Sequence, residues 1–230
     1  MASIRRELVN AAERQVISLI NDADIDTEHE LRKQAIFAGK SLTYDEKLET
    51  IKLLTGLYDK NKIIYNEGTR RVCGNCKQEC LATLFCELCV RNYLKANFSN
   101  WTSGNDEIDN LIKKYQMETL IPHTVIEWIP YNNLRNVKYL TRGGCSEIYT
   151  ADWIGGWYHR WDSNKQQLER LGTEKVILKR LKNVESANRS WFEEVCNLEL
   201  INIFFLKKNL SIIINYLIYF IGSISFNIKQ

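Results

Sequence analysis

The stretch Leu140-Thr-Arg-Gly143-Gly144-Cys-Ser146-Glu-Ile148-Tyr149-Thr-Ala151-Asp-Trp153, with the downstream run Val176-Ile-Leu-Lys179, decides the fold of the second half of this chain. Its centre is a glycine turn, and glycine lets backbone N–H groups approach phosphate oxygens without a Cβ in the way. The apolar run before Lys179 has the length and β-branching of a buried strand. The pattern predicts strands around a glycine loop, with a lysine at the end of the last strand.

These residues resemble the start of a protein kinase domain. In that family a loop of the pattern G-x-G-x-x-G-x-V covers the ATP phosphates, and the lysine of V-A-I-K reaches the α and β phosphates. The resemblance implies a nucleotide-binding set of Thr141, Gly143, Gly144, Ser146, Ile148 and Lys179. Thr141 and Ser146 stand where the family has glycine, so the resemblance implies a loop that folds less closely over phosphate.

A kinase lobe also needs a helix with a glutamate that pairs with the strand lysine. Residues 186–200 are predicted to supply this helix. Ser190 and Glu193 have the spacing of a capping box, and Ser186 and Asn188 are alternative starts. Glu194 is the predicted partner of Lys179, and Glu193 is the alternative. The competing interpretation is that both are solvated carboxylates on a helix face.

The residues that a complete kinase needs for catalysis are missing from the remaining sequence. No aspartate follows Asp162, no histidine follows His159 and no proline follows Pro130. The His-Arg-Asp, Asp-Phe-Gly and Ala-Pro-Glu segments therefore have no counterpart, and the sequence ends about where the catalytic half should begin. We predict no catalytic residues and no phosphoryl transfer by this chain alone, since that reaction depends on metal ligands and positioning groups.

Two Cys-x-x-Cys pairs form a second motif, at Cys73, Cys76, Cys86 and Cys89. Four thiolates can close a tetrahedral shell around zinc and leave no open position for water, which predicts a structural zinc site. The nine-residue spacer is shorter than the usual one. The alternative interpretation is a group of ordinary reduced cysteines near an apolar patch, and Cys80 is a spare thiol in either case.

The predicted fold class is α+β: a helical region, a small Cys-rich knuckle, and an incomplete antiparallel sheet like that of a kinase amino-terminal lobe, with one helix. Amphipathic spacing predicts helices over residues 3–20, 28–38 and from Thr43, and over 90–98 and 106–115. Residues 125–129 are predicted to form a strand, and residues 154–174 an extended connection. The predicted domains are 1–65 helical, 66–118 Cys-rich, 119–200 kinase-like and 201–230 a divergent apolar tail.

Composition limits the function classes. The 230 residues carry a formal net charge of +3 without a basic stripe, which does not indicate nucleic-acid binding. Seven cysteines without an amino-terminal signal sequence predict a reducing, cytoplasmic location. Residues 210–226 carry no charge. One interpretation is a membrane anchor, and the other is sequence altered by a change of reading frame or of splicing. The anchor is the less favoured interpretation because the run is short for a membrane span.

From Met1 to about Glu194 the chain resembles a lineage-expanded group of fungal protein-kinase-like proteins. The resemblance is carried by the cysteine pairs, by Asn97-Phe-Ser-Asn-Trp-Thr-Ser-Gly-Asn105 and by Glu127-Trp-Ile-Pro-Tyr131. It implies an ATP-binding fold with Lys179 as the phosphate-contacting lysine, and it ends near residue 197. The expected function is a kinase-like protein with a weak or vestigial ATP site, inactive alone. The alternatives are a fragment of an active Ser/Thr or Tyr kinase, or a zinc-stabilised adaptor for a protein partner.

Overall fold

The computed structural model describes residues 4–20, 23–142, 146–181 and 218–220, which form a mixed α+β protein. The helices are α1 Arg6–Leu19, α2 Ile25–Ala38, α3 Tyr44–Tyr65, α4 Glu87–Ala96 and α5 Asp106–Glu118. The strands are β1 Arg71–Val72, β2 Glu79–Cys80, β3 Leu134–Arg142, β4 Ser146–Trp153, β5 Tyr158–Asp162, β6 Gln167–Arg170, β7 Glu174–Leu181 and β8 Ile218–Phe220. The first of two compact units holds the described residues up to Tyr93, with Thr119–Pro122 and Trp161–Leu168; the second holds the others.

Helices α1 to α3 pack around a small apolar core in the first unit. Each helix contributes one buried residue to it: Val16, Ile36 and Leu54. Helix α3 begins with the predicted capping box, in which the Thr43 side chain accepts from the Glu46 N–H and the Glu46 carboxylate accepts from the Thr43 N–H. Glu46 also accepts from the Arg5 guanidinium at 2.7 Å, which joins the start of α1 to the start of α3.

Helix α2 begins earlier than the apolar pattern predicted. Asp24 is its N-cap, and the carboxylate accepts from the N–H groups of Asp26 and Thr27. The capping aspartate satisfies two of the amide groups that the first turn of a helix leaves without partners. The helix therefore starts at Ile25, three residues before the predicted start.

The second unit is built on a sheet with the strand order β3-β4-β7-β8. Strands β3, β4 and β7 pair antiparallel, as predicted, whereas β8 pairs parallel to β7 and makes this sheet mixed. Alternate residues of the strands supply the buried face of the sheet. That core contains Leu134, Ala151, Trp153, Val176 and Leu178.

Two local predictions for the chain between α5 and β7 are wrong. Residues 125–129 are not a strand: the carbonyl of Ile126 accepts from the Gln116 side chain of α5 at 2.7 Å. The sheet instead begins at Leu134, after a 3-10 turn at Tyr131–Asn133. The predicted extended connection contains the hairpin β5–β6, whose turn is closed by the Asp162 carboxylate accepting from the N–H groups of Asn164 and Lys165.

Arg170 of β6 fastens the irregular segment before the sheet. Its guanidinium donates to the carboxylate of Glu127, 43 residues earlier, and to the carbonyl of Gly156 at 2.6 Å. The same group lies 4.0 Å from the ring centroid of Tyr158 and 5.8 Å from that of Trp153. Burial raises the pKa of Glu127, and the Arg170 charge opposes that rise.

The described residues contain no helix long and apolar enough to cross a membrane. Of the uncharged run 210–226, only Ile218–Phe220 is described, as strand β8. The rest of that run lies outside the described residues, as does the predicted helix 186–200.

Candidate functional site

The first cysteine pair occupies the turn of the β1–β2 hairpin. The N–H of Cys73 donates to the carbonyl of Gln78 at 2.8 Å, and the N–H of Lys77 donates back to the carbonyl of Cys73 at 3.0 Å. Lys77 has φ +60°, the left-handed conformation that lets the chain turn sharply after Cys76. This tight turn places the thiols of Cys73 and Cys76 on one side of the hairpin end.

The second pair lies at the start of α4. Cys86 immediately precedes the helix, and its carbonyl accepts from the N–H of Val90 at 3.0 Å, so Cys89 lies in the first helical turn. A helix of 3.6 residues per turn brings residues three apart to the same face. The thiols of Cys86 and Cys89 are therefore held side by side by regular structure.

The four sulfurs form one compact group. Cys73 Sγ lies 3.8 Å from Cys89 Sγ, and Cys76 Sγ lies 3.6 Å from Cys86 Sγ. All four sulfurs lie within 4.8 Å of one another. Zinc–sulfur bonds of about 2.3 Å in a tetrahedron place the sulfurs about 3.8 Å apart, so the spacing fits a four-coordinate metal. The predicted ligand set is thus brought together and could bind a metal ion.

The environments of the thiols are not equivalent. Backbone N–H groups of Cys76 and Asn75 donate to the sulfur of Cys73 and lower its pKa to about 6. Burial raises the pKa of Cys86 and of Cys89. Metal ligation requires thiolates, so binding at this site releases protons, including those of Cys86 and Cys89.

Charged side chains fix the loop between the two pairs, which sequence reasoning missed. The Glu87 carboxylate accepts from the N–H groups of Leu81 and Ala82, at 2.9 and 3.0 Å. The Arg71 guanidinium donates to the carbonyl of Ala82 at 2.7 Å and to that of Phe85. These bonds let a short spacer turn back on itself, because they satisfy backbone groups that have no strand partner.

Cys80 lies beside the group but differs from its members. Its sulfur contacts the carbonyl oxygens of Arg71 at 3.6 Å and Ala82 at 3.9 Å, as a thiol donor would. Burial raises the pKa of Cys80, which favours the neutral thiol. Its sulfur, the sulfur of Cys86 and a carboxylate oxygen of Glu87 also lie within 4.8 Å of one another, but Glu87 is already engaged by two amides.

The sheet aligns three of the residues predicted to bind nucleotide. Ile148 of β4 is the Cα partner of Thr141 on β3 and of Lys179 on β7, so the three stand in one row across adjacent strands. Ile148 is half-buried and Thr141 is exposed. Ser146 begins β4, directly after the predicted loop. Gly143, Gly144 and Glu194 lie outside the described residues.

Comparison with protein-family models, with curated proteins and with solved structures gives no match to this chain.

Proposed function

We propose that this chain is a protein-kinase-like protein whose β3–β4–β7 sheet is a lobe for binding ATP, with weak affinity and without phosphoryl transfer by the chain alone. The observation that carries the proposal is the row formed by Thr141, Ile148 and Lys179 across three antiparallel strands. It puts the lysine position beside the strand that leaves the glycine turn.

The geometry also supports a role for the apolar positions. Ile177 lies two residues before Lys179 on the same strand, and both Ile177 and Ile148 are half-buried. Partly exposed aliphatic side chains beside a lysine position suit a ligand with a flat ring and an anionic end. Thr141 and Ser146 replace glycines of the family pattern, and this is why we propose weak binding.

Titration with Mg-ATP, followed by calorimetry, tests nucleotide binding. We expect a dissociation constant near or above ~1 mM, about −4 kcal/mol or weaker. Lys179→Ala should abolish it, whereas Lys175→Ala, an exposed lysine on the same strand, should leave it unchanged. Equal binding by both variants, or none by the unaltered chain, would contradict the proposed site. Micromolar binding lost in Lys179→Ala would show a competent nucleotide sensor.

Phosphoryl transfer needs a separate assay on generic protein acceptors. We expect no incorporation, since no aspartate follows Asp162 to serve as base or metal ligand. Incorporation that Lys179→Met abolishes would identify an active enzyme, as the kinase-fragment alternative requires. Incorporation that survives this change would identify a contaminant.

A second proposal concerns the four cysteines: they hold one structural zinc ion that stabilises the first unit, which suits an adaptor for a protein partner. The sulfur spacing of 3.6 to 3.8 Å is the observation that favours it. Metal analysis of the purified chain should find about one zinc per chain. Cys73→Ser and Cys86→Ser should lose it, and Cys80→Ser should retain it. Unchanged stoichiometry in the first two variants would contradict the assignment.

A further inference from the structure

Asp59 is a fully buried carboxylate in α3, within the region 1–65 that the sequence predicts to be helical. One carboxylate oxygen accepts from the N–H of Thr83 at 2.6 Å, and the other accepts from the N–H of Leu84 at 2.8 Å. These partners are 24 and 25 residues away along the chain. Leu84 is two residues before the metal-site candidate Cys86.

The two amide donors explain why a carboxylate occupies this position. An ionised carboxylate only accepts, and its two oxygens match two neighbouring N–H groups without a mismatched donor. Burial raises the pKa of Asp59, and the N–H groups of Leu84 and Thr83 and the charge of Lys62 oppose this rise. A buried carboxylate is costly unless such partners compensate it, so the loop and Asp59 depend on each other.

With Asp59, the loop between the cysteine pairs is held at successive positions. Glu87 holds the amides of Leu81 and Ala82, and Asp59 holds the next two amides. Arg71 holds carbonyls at Ala82 and Phe85. Of these three charged residues, Asp59 alone belongs to the bundle of α1 to α3.

A second contact from α3 reaches the chain that leads into the first cysteine pair. Lys62 is buried one helical turn beyond Asp59, and its ammonium group donates to the carbonyl of Thr69, two residues before β1. One face of α3 thus contacts the chain ahead of both cysteine pairs. If Asp59 only capped a surface loop, its bonds to Thr83 and Leu84 would be explained. The additional bond from Lys62 to the chain before the first cysteine pair would not be.

We propose that Asp59 is a positioning residue for the metal site: it holds the loop before Cys86 so that the second pair of thiols meets the first, and it thereby couples metal binding to the α1–α3 bundle. This inference rests on the metal site proposed above. The coupling is reciprocal. If Asp59 links the bundle to the metal site, then bound metal should raise the free energy of unfolding of the bundle.

The test uses Co²⁺ as the probe, because tetrahedral cobalt–thiolate centres absorb strongly in the visible range. The full chain, Asp59→Asn and two controls are titrated with Co²⁺ against a competing chelator. Asp24→Asn makes the same chemical change at the start of α2, where the carboxylate accepts from the N–H groups of Asp26 and Thr27 and contacts neither the loop nor Thr69. Ile36→Val weakens the bundle core without touching the loop. Circular dichroism measures the folded fraction and the melting temperature of each variant with and without Co²⁺.

Asparagine offers one acceptor oxygen, and its amide group would oppose one of the two N–H donors. We expect Asp59→Asn to bind Co²⁺ about tenfold more weakly or worse, the range usual for residues that orient metal ligands. Co²⁺ should also raise the melting temperature of Asp59→Asn, followed by the helical circular dichroism signal, by less than it raises that of either control. A folded Asp59→Asn with the affinity and Co²⁺-induced shift of the controls would overturn the inference and leave the metal site intact. Absence of thiolate bands in the unaltered chain would overturn the metal site, and the inference with it.

Discussion

The sulfurs of Cys76 and Cys86 lie 3.6 Å apart, although nine residues stand between the two cysteines and one belongs to a hairpin turn while the other precedes a helix. Reduced thiols have no strong attraction at this distance, and thiolates repel one another. A metal ion would replace these weak contacts with four metal–sulfur bonds. The folded state of the first unit should therefore depend on metal.

Chelation should lower the melting temperature of the first unit, measured by circular dichroism at the helical wavelength. If the free metal concentration before chelation is 100 times the dissociation constant, removing the metal should lower the free energy of unfolding by about 2.7 kcal/mol. Cys86→Ser should already show the lower melting temperature and no longer respond to chelator. Cys80→Ala should respond as the unaltered chain does; a chelator response in Cys86→Ser would contradict the prediction.

Ionisation of Glu46 should make the free energy of unfolding depend on pH in the acidic range. Hydrogen bonds from Arg5 and from the Thr43 N–H hold the pKa of Glu46 well below its ordinary value. A glutamate in an unfolded chain titrates near ~4.3, so the stabilisation is complete above that pH and is lost as the pH falls toward the folded-state pKa.

Thermal unfolding between about pH 5 and pH 3 can detect this contribution. The melting temperature of the unaltered chain should fall more steeply over this range than that of Glu46→Gln. Glu49→Gln removes an exposed ion pair with Arg6 and should keep the steep profile. Parallel profiles for the unaltered chain and Glu46→Gln would argue against the predicted role of Glu46.

Local signals explain what could be predicted from sequence. The capping box of Thr43 and Glu46 spans four residues, and each cysteine pair also spans four, so one turn of chain determines each geometry. The strand predicted at residues 125–129 was wrong because apolar content alone does not supply a strand partner; the Gln116 side chain bonds this segment instead. The β5–β6 hairpin was missed although Asp162 followed by polar residues is a turn signal.

Long-range partners explain what could not be predicted. Asp59 has the sequence context of a solvated helix carboxylate, and only the fold reveals that its acceptors meet amides 24 and 25 residues later. Arg71 and Glu87 belong to the same class: their loop partners follow no pattern of spacing. The cluster of four cysteines could therefore be predicted, but not the charged groups that position it.

Gly156 should tolerate no side chain. It has φ +60°, and a Cβ there would lie 2.1 Å from the carbonyl oxygen of Gly172. Gly172 also has a positive φ, +102°, but a Cβ there would meet nothing within 4 Å. We expect Gly156→Ala to lower the free energy of unfolding by about 2 kcal/mol more than Gly172→Ala, since it adds a backbone clash to a similar strain. Denaturant unfolding followed by tryptophan fluorescence measures both; equal losses would contradict the predicted close approach.

Lys77 offers a stabilising change in the first cysteine turn. Lys77 has φ +60°, and a side chain in this conformation destabilises the folded state by about 1–2 kcal/mol. Glycine removes this strain, but it loses more backbone entropy on folding, so only part of the free energy is regained. Lys77→Gly should raise the free energy of unfolding by about 0.5–1 kcal/mol in chemical denaturation. The same replacement at Lys52, exposed inside α3, should lower it by about 1 kcal/mol. A loss at both positions would show that the contact of the Lys77 ammonium with the Gly74 carbonyl outweighs the backbone strain.

The contacts of Arg170 have a consequence for motion on the timescale of hydrogen exchange. Detaching the segment around Glu127 would strip a largely buried carboxylate of its cation and uncover the faces of Tyr158 and Trp153. Such an opening requires the cooperative loss of all these contacts, so it should be rare. Amides near Glu127 should then exchange as slowly as those of the neighbouring strands, although the segment itself has no regular secondary structure.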